Sequence, residues 1–527
     1  MEIDATYGQV VIEQGTTCPP IRRASWTVRR RLRTLRGIVE RRRPSLLLLY
    51  GRRRVGKTYL LDHAWDGRRV FYYLAADSPA RLNQQELLRD LSAWLQLPFD
   101  QQDFPTWRTI FRLFVQLART APLIVVLDEF QYLLGQEDDI ASQLAAVWDR
   151  EVGDAPLTIA LSGSEITTME RLQQGSQPLY GRPDWSARLR PFDYWNTARM
   201  APERSPREAA LVYGIFGGTP RYLASSHADE PFDDFVTHSF LSPQGDVHLQ
   251  VEHIIEQEKG IRDPADYRAV LTAIASGKTE LNDITLAAGL GSTSHVARRA
   301  LKVLEDLELV WRERNYGAAD KAPYRYRIAD NAVRFWYAFI HHNRGRLETG
   351  DPAAVWTHHV QPLLNDYMGK VFEQIAREGF RRWHARWGYT DAAQWSRWEG
   401  QDRNRRSIEI DIVAFLDDGR LLTGEIKWAS QAVDYDVHRA LLRDLDDLSR
   451  SGQGWARDAL SPDHSAGFLY LSAGGFTDEF QQRAQQAGKY ATHHPGRPLR
   501  RSRTPALKRA GYDYKAPLRV LRERAPG

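Results

Sequence analysis

Leu46-Leu47-Leu48-Leu49-Tyr50-Gly51-Arg52-Arg53-Arg54-Val55-Gly56-Lys57-Thr58 is the stretch whose reading decides the fold of the N-terminal half. Five apolar residues run into a glycine, four further residues, and then Gly-Lys-Thr. An unbroken apolar run ending at a turn signal predicts a strand buried on both faces of a parallel sheet. Gly51 permits a tight turn off that strand, and Gly56 leaves no Cβ where a phosphate must approach. Gly51, Arg52, Arg53, Arg54, Val55 and Gly56 would then turn successive N–H groups inward as an anion cradle, backed by the dipole of the following helix. In that geometry Lys57 reaches the β- and γ-phosphates of ATP and the Thr58 hydroxyl ligates Mg²⁺.

Downstream, Pro122-Leu123-Ile124-Val125-Val126-Leu127-Asp128-Glu129 reads as a second buried strand ending in two acids. Asp128 is placed to hold Mg²⁺, and Glu129 to polarise an attacking water, which favours hydrolysis over binding alone. A third strand, Leu157-Thr158-Ile159-Ala160-Leu161, leads into Ser162-Gly163-Ser164, with Ser162 as a sensor beside the γ-phosphate. Arg182 follows at the distance where a helix ends. It reads either as an arginine finger, acting in its own subunit or on a neighbour in a homo-oligomer, or as an exposed loop arginine. Gly217-Gly218-Thr219-Pro220 at a helix end would bring backbone and Pro220 to the adenine; a plain helical corner is the alternative. Val70-Phe71-Tyr72-Tyr73-Leu74 adds a further strand, with helices near 80–96 and 106–119. Strands alternating with helices in this order describe an α/β, doubly wound parallel sheet.

At 527 residues the chain has room for several domains, on the order of three or four. Composition is that of an ordinary globular protein, and no stretch approaches the ~18 apolar residues of a membrane helix, so no membrane partner is expected. Cys18 is the only cysteine, which excludes an intramolecular disulfide and a cysteine-based zinc site; with no secretory pattern at the N-terminus, a reducing cytoplasm is the expected compartment. Net charge is +5, unevenly spread. Arg29-Arg30-Arg31 and Arg41-Arg42-Arg43 precede the first strand, and in 496–527 ten Lys/Arg face only Asp513 and Glu523. Such clusters suit a phosphate backbone, although charge runs are commonly solvated faces.

Organisation follows from these signals. Residues 1–24 form an N-terminal extension, 25–204 the nucleotide core and 205–265 a helical lid. In 266–330 three short helices and a hairpin predict a winged helix, with His295, Arg298, Arg299 and Lys302 on its third helix able either to contact DNA or to serve a structural arm. Residues 331–355 connect, 356–495 form a last domain, and 496–527 a basic tail.

That last domain carries a second chemistry. Residues 367–380 read as a helix with Glu373 among its apolar positions, followed by Ser407-Ile408-Glu409-Ile410-Asp411-Ile412, the loop Asp417-Asp418-Gly419, and Thr423-Gly424-Glu425-Ile426-Lys427-Trp428. A three-residue loop with Gly419 in the left-handed region sets the register: Asp411 opposite Glu425 and Glu409 opposite Lys427 on one face, with Ile410, Ile412, Gly424 and Ile426 in the core on the other. Two facing carboxylates repel unless a cation such as Mg²⁺ or Mn²⁺ lies between them, and a neighbouring lysine can orient a metal-bound water.

Taken together, the Gly-x4-Gly-Lys-Thr loop, Asp128-Glu129-Phe130-Gln131, Gly217-Gly218-Thr219-Pro220-Arg221-Tyr222, Tyr367-Met368-Gly369-Lys370-Val371-Phe372-Glu373, Glu409-Ile410-Asp411 and Gly424-Glu425-Ile426-Lys427-Trp428 resemble the archaeal-type AAA+/STAND ATPases, over roughly 25–490. Their C-terminal domain resembles the PD-(D/E)xK restriction-endonuclease-like α/β fold. The resemblance implies an ATPase core, a winged helix and a Mg²⁺-dependent nuclease, with Asp411 and Glu425 on metal, Lys427 at the attacking water and Glu373 in support. Ile410 stands where the family's proline is usual. The expectation is an ATP-driven switch controlling a nuclease on DNA, in defence or repair. The rival is a signalling or scaffold ATPase whose C-terminal domain binds nucleic acid or protein without cleaving; Glu129 and the winged helix disfavour a metabolic kinase.

Overall fold

The computed structural model describes residues 26–99, 104–134, 139–225, 230–256, 261, 263–291, 294–486, 492–493 and 518–522. The extension 1–24 with Cys18, and the basic tail 496–527 apart from 518–522, lie outside the described residues. Among the described residues no helix is long and apolar enough to cross a membrane.

Strands β1 (Ser45–Tyr50), β2 (Val70–Leu74), β3 (Leu123–Asp128), β4 (Leu157–Gly163) and β5 (Trp185–Arg188) form a sheet in the order β2-β3-β4-β1-β5. Every pairing in it is parallel. The leucine run is apolar because both of its faces are covered. Leu46 and Leu48 pack into the cluster holding helices Ala80–Leu95, Trp107–Thr120 and Ile140–Arg150; Leu47 and Leu49 pack into the one holding helices Trp26–Glu40 and Lys57–Ala64. Each buried leucine contributes roughly 1.5–3 kcal/mol over exposure, so a charge at any of the four positions would open the sheet between β4 and β5.

The next units share a core. Helices from Pro206–Phe216 onward, the three helices Pro264–Ala275, Leu281–Ala287 and His295–Asp306, and the antiparallel hairpin of β6 (Val310–Glu313) and β7 (Arg325–Ile328) contribute to one apolar cluster running from Val212 to Val360. The winged-helix pattern of three helices and a hairpin is present, and it is fused to the lid through that cluster.

A second sheet follows in the order β12-β13-β11-β10-β9-β8, made of β8 (Ala392–Gln401), β9 (Ser407–Leu416), β10 (Leu421–Lys427), β11 (Ser465–Ser472), β12 (Thr492–His493) and β13 (Leu518–Arg522). Residues 518–522, expected within the tail, thus pair with β11. The long helix Gln361–Trp383 covers one face, with Met368, Val371 and Phe372 against Ile412, Leu422 and Ile426. Helices Asp436–Arg450, Gly454–Leu460 and Asp478–Gln486 cover the other.

The β9–β10 turn is as the sequence predicts, with Gly419 at φ 81°, and the ladder runs in the expected register from Leu421 opposite Phe415 to Gly424 opposite Ile412; it ends there, short of the expected pairs Asp411–Glu425 and Glu409–Lys427. One expectation is corrected. Ile410 and Ile412 do not share a face; Ile410 packs with Val413 in one core and Ile412 with Ala414 in the other. Against β8, Val413 stands opposite Ser396 and Ile410 opposite Trp398, which leaves Arg397 facing both Asp411 and Ile412. This is a β-bulge, and such an extra residue re-aims the side chains on either side of it.

Candidate functional site

The phosphate loop is held by close backbone approaches. A Cβ on Gly51 would lie 2.2 Å from the Leu189 carbonyl oxygen, and Gly56 has φ 92° where it opens helix Lys57–Ala64. Pro220 stands over this point, its Cγ 3.9 Å from where a Gly56 Cβ would be. The Lys57 ammonium is buried and donates to the carbonyl oxygens of Gly51 (2.9 Å) and Arg52 (3.2 Å), folded onto its own loop. Beside it the Thr58 hydroxyl donates to Asp128 Oδ2 at 3.4 Å, so the two groups expected on Mg²⁺ are adjacent.

Two residues of this site were not foreseen. The Tyr72 hydroxyl, on neighbouring β2, donates a very short hydrogen bond to the same Asp128 oxygen, and burial together with Asp128 keeps that phenol protonated. Ser164 binds Glu129: its hydroxyl donates to Glu129 Oε2 at 2.6 Å and its N–H at 3.3 Å, and Gln131 donates to the same oxygen. Ser162, the expected sensor, is buried inside β4 with no partner for its hydroxyl among the described residues. Only at Ser164 has the chain left the sheet far enough to reach Glu129.

The three arginines of the loop spread outward. Arg52 pairs with Asp330 at 2.6 Å, both side chains buried; Arg53 donates to the Tyr132 hydroxyl at 2.8 Å; Arg54 reaches the Gln250 carbonyl at 3.5 Å. They tie the loop to the end of the winged helix, to the segment after β3, and to the lid. Val55 is buried beneath them. Arg182 is engaged elsewhere, donating to both carboxylate oxygens of Asp149 (2.9 and 2.6 Å) and to the Tyr180 carbonyl. That pairing holds the Asp149 carboxyl below its usual range and fastens Arg182 to the end of helix Ile140–Arg150.

The second cluster lies where β9 and β10 diverge. Freed from the ladder by the bulge, the Asp411 carboxylate accepts from the Ile426 N–H (3.0 Å) and Lys427 Nζ (3.2 Å). Lys427 Nζ also pairs with Glu425 at 2.5 Å, so both acids share one half-buried ammonium, which they keep protonated. Burial first, then Asp411, pushes the Glu425 carboxyl well up. Glu373 reaches in from the long helix, and one carboxylate oxygen each of Glu373, Glu409 and Asp411 lie within 4.8 Å of one another, a group able to hold a cation. Glu409 lies with Lys370 (3.2 Å) and Arg397 rather than with Lys427. The two-residue alternation already places Glu409 on the face of Asp411; its partners there are Lys370 and Arg397 in place of the expected Lys427.

Comparison with known proteins matches these two regions separately. Residues 29–225 match the model of an ATPase domain found predominantly in Archaea, and 336–438 match a model of archaeal and bacterial proteins of unknown function. The chain therefore carries an archaeal-type ATPase domain. An uncharacterised protein of Methanocaldococcus jannaschii is 25% identical over 408 residues, 76% of this chain and 86% of that one. Among solved structures, a Walker-type ATPase of Pyrococcus abyssi is 20% identical with a TM-score of 0.44, covering 58% of this chain and 94% of its own. The ORC2 protein of Aeropyrum pernix is 13% identical with a TM-score of 0.39, covering 62% and 96%.

Proposed function

We propose that the protein binds and hydrolyses ATP, and that its nucleotide state sets a metal-dependent phosphodiesterase site on the C-terminal sheet that acts on nucleic acid. The carrying observation is the convergence of Lys57, Thr58, Asp128 and Glu129 beyond the carboxyl ends of β1 and β3, two parallel strands with β4 between them. Lys57 and the loop N–H groups bind phosphate, and Thr58 and Asp128 hold Mg²⁺, which supplies neutralisation of charge on the phosphate oxygens. Glu129 is the base, restrained by Ser164 until the nucleotide draws the loop in.

Coupling runs through Arg52 and Asp330. Asp330 caps helix Asn331–Phe335 by accepting from the Val333 N–H at 3.1 Å. The Tyr367 hydroxyl donates to the carbonyls of Asn331 (3.2 Å) and Gly214 (2.7 Å), and Tyr367 stands on the long helix that also carries Glu373. A shift of the phosphate loop therefore has a short, packed route to the second cluster. There Asp411 and Glu425 would hold Mg²⁺ or Mn²⁺, with Glu373 in support and Lys427 orienting the attacking water.

A scaffold reading is favoured by one observation: each of these acids already has a cationic partner, in Lys427, Lys370 or Arg397. Incubation with plasmid and single-stranded DNA, with Mg²⁺ or Mn²⁺ and with or without ATP, separates the two. Lys57→Ala should abolish ATP binding. Asp411→Asn should abolish cleavage and leave ATP turnover intact; cleavage surviving Asp411→Asn, or absent from the parent under all conditions, removes the phosphodiesterase reading.

A further inference from the structure

A cavity of about 550 Å³ opens where three units meet: the β6–β7 hairpin, helix Asn331–Phe335 with the long helix, and the bulged edge of the second sheet. Its walls hold an unbalanced set of charges. The carboxylates are committed. Glu313 pairs with Arg327 at 2.5 Å, Glu373 with Lys370 and Arg397, and Asp411 with Lys427. Glu378 accepts from the Tyr213 hydroxyl at 2.8 Å and the Tyr194 N–H at 3.2 Å.

Two guanidinium groups in the same wall form no ion pair among the described residues, with acids only at longer range. Arg334 spends Nε and Nη2 on the single carbonyl of Ile328 (3.2 and 2.5 Å), and its Nη1 has no partner among the described residues. Arg377 lies over the Trp311 ring at 5.2 Å, and its Nε is likewise without a partner. Among the described residues neither group, nor the exposed Arg381 that also lines the cavity, forms an ion pair. Removing guanidinium groups from water without a counter-charge is costly, and the planar fork of arginine is satisfied best by the paired oxygens of a phosphate.

We propose that this cavity is a binding site for a nucleoside phosphate, whose phosphoryl oxygens are held by Arg334 and Arg377 while Arg381 attracts it at the mouth. The volume suits a ligand of mononucleotide size. Trp395, on the sheet side of the cavity, offers the apolar face against which a base can stack. Such a ligand is either a free nucleotide or the phosphorylated end of a strand, and the chemistry recognised is the same. Binding here does not depend on whether the neighbouring carboxylates cleave.

The test uses the full chain carrying Lys57→Ala, which silences the phosphate loop, in EDTA, which silences metal. Titration with AMP and with a 5′-phosphorylated single-stranded hexamer, against the same hexamer without its phosphate, should give saturable binding of the phosphorylated probes. AMP bound alone identifies a free nucleotide, and the hexamer bound at least as well as AMP identifies a strand end. Arg377→Gln should weaken binding by about tenfold or more, as expected for loss of a charge-assisted fork. Arg381→Gln, at the exposed mouth, keeps the fold and should weaken binding by a few fold with a shallower dependence on salt. Equal binding with and without the 5′-phosphate, no binding of either phosphorylated probe at millimolar concentration, or binding unaffected by both substitutions would overturn the proposal.

Discussion

Lys57 opens the helix after β1 and Lys427 ends β10; the first is buried, the second about half-buried, and their surroundings are opposite. Lys57 rests on two backbone carbonyls of its own loop, in a cradle that the backbone builds and where side chains matter only at Thr58 and Asp128. Lys427 rests on two carboxylates brought from two strands, with Glu373 and Glu409 close by from a third element and the same strand. The first site is short of negative charge and so receives an anion. The second has more acid than its lysine can neutralise, while the cavity beside it has more arginine than acid. Separating charge in this way would let one domain face the proposed metal and the proposed phosphate at once.

The largest effect is expected where the two regions are joined. Asp330→Ala removes the partner of a buried guanidinium, and losing one member of such a pair costs about 3–5 kcal/mol. Arg52→Ala should cost less, because Asp330 retains the Val333 N–H. In a double-mutant cycle read by denaturant unfolding, the combined variant should be little worse than Asp330→Ala alone. Strict additivity would show that the two residues do not act as a link.

The contrast between the sites also explains what the sequence allowed to be read. The leucine run, the Gly-Lys-Thr loop and Asp128-Glu129 are contiguous, and their chemistry is backbone geometry that a few residues dictate. The register of β9 on β10 was legible for the same reason, because Gly419 closes a turn of known length. The bulge was not legible: it arises from pairing with β8, whose Trp395-Ser396-Arg397-Trp398 lacks the two-residue alternation that marks a strand. Hence Glu409 was paired with Lys427 across the hairpin, whereas it pairs with Lys370 and Arg397. Tyr72, Ser164 and Asp330 escaped because each contacts a residue of another element: Asp128, Glu129 and Arg52 respectively.

A smaller effect tests the first site alone. Glu129→Gln should leave ATP binding unchanged and lower kcat by about 10²-fold, about 2.7 kcal/mol in barrier, the scale of a positioned general base. Ser164→Ala should change kcat far less, since Ser164 restrains Glu129 without touching the reacting water. If Ser164→Ala matches Glu129→Gln, the hydroxyl rather than the carboxylate is the group that matters.

The smallest effect lies on the long helix between the regions, at Glu378. Burial, against the hydrogen bonds from the Tyr194 N–H and the Tyr213 hydroxyl, pushes its carboxyl up to about 7. Between its unfolded value near 4.5 and about 7 the folded chain holds a proton that the unfolded chain releases, so this residue's contribution to stability falls as pH rises through that window. Glu378→Gln removes the titration; its one amide oxygen can keep the Tyr194 N–H on the Oε2 side, and its NH2 group then faces the Tyr213 hydroxyl oxygen on the Oε1 side. The Gln374 amide, which donates to Glu378 at 3.2 Å while its Oε1 has no partner among the described residues, can turn to accept from the new side chain. The variant should match the parent at pH 4.5 and exceed it by on the order of 1–2 kcal/mol at pH 7.5, the remainder of the shift being discounted for partial solvent access. Chemical denaturation at intervals across that range reads the difference directly. A gap that stays constant with pH would mean that Glu378 is already ionised in the folded chain, with the tyrosine and backbone donors outweighing burial.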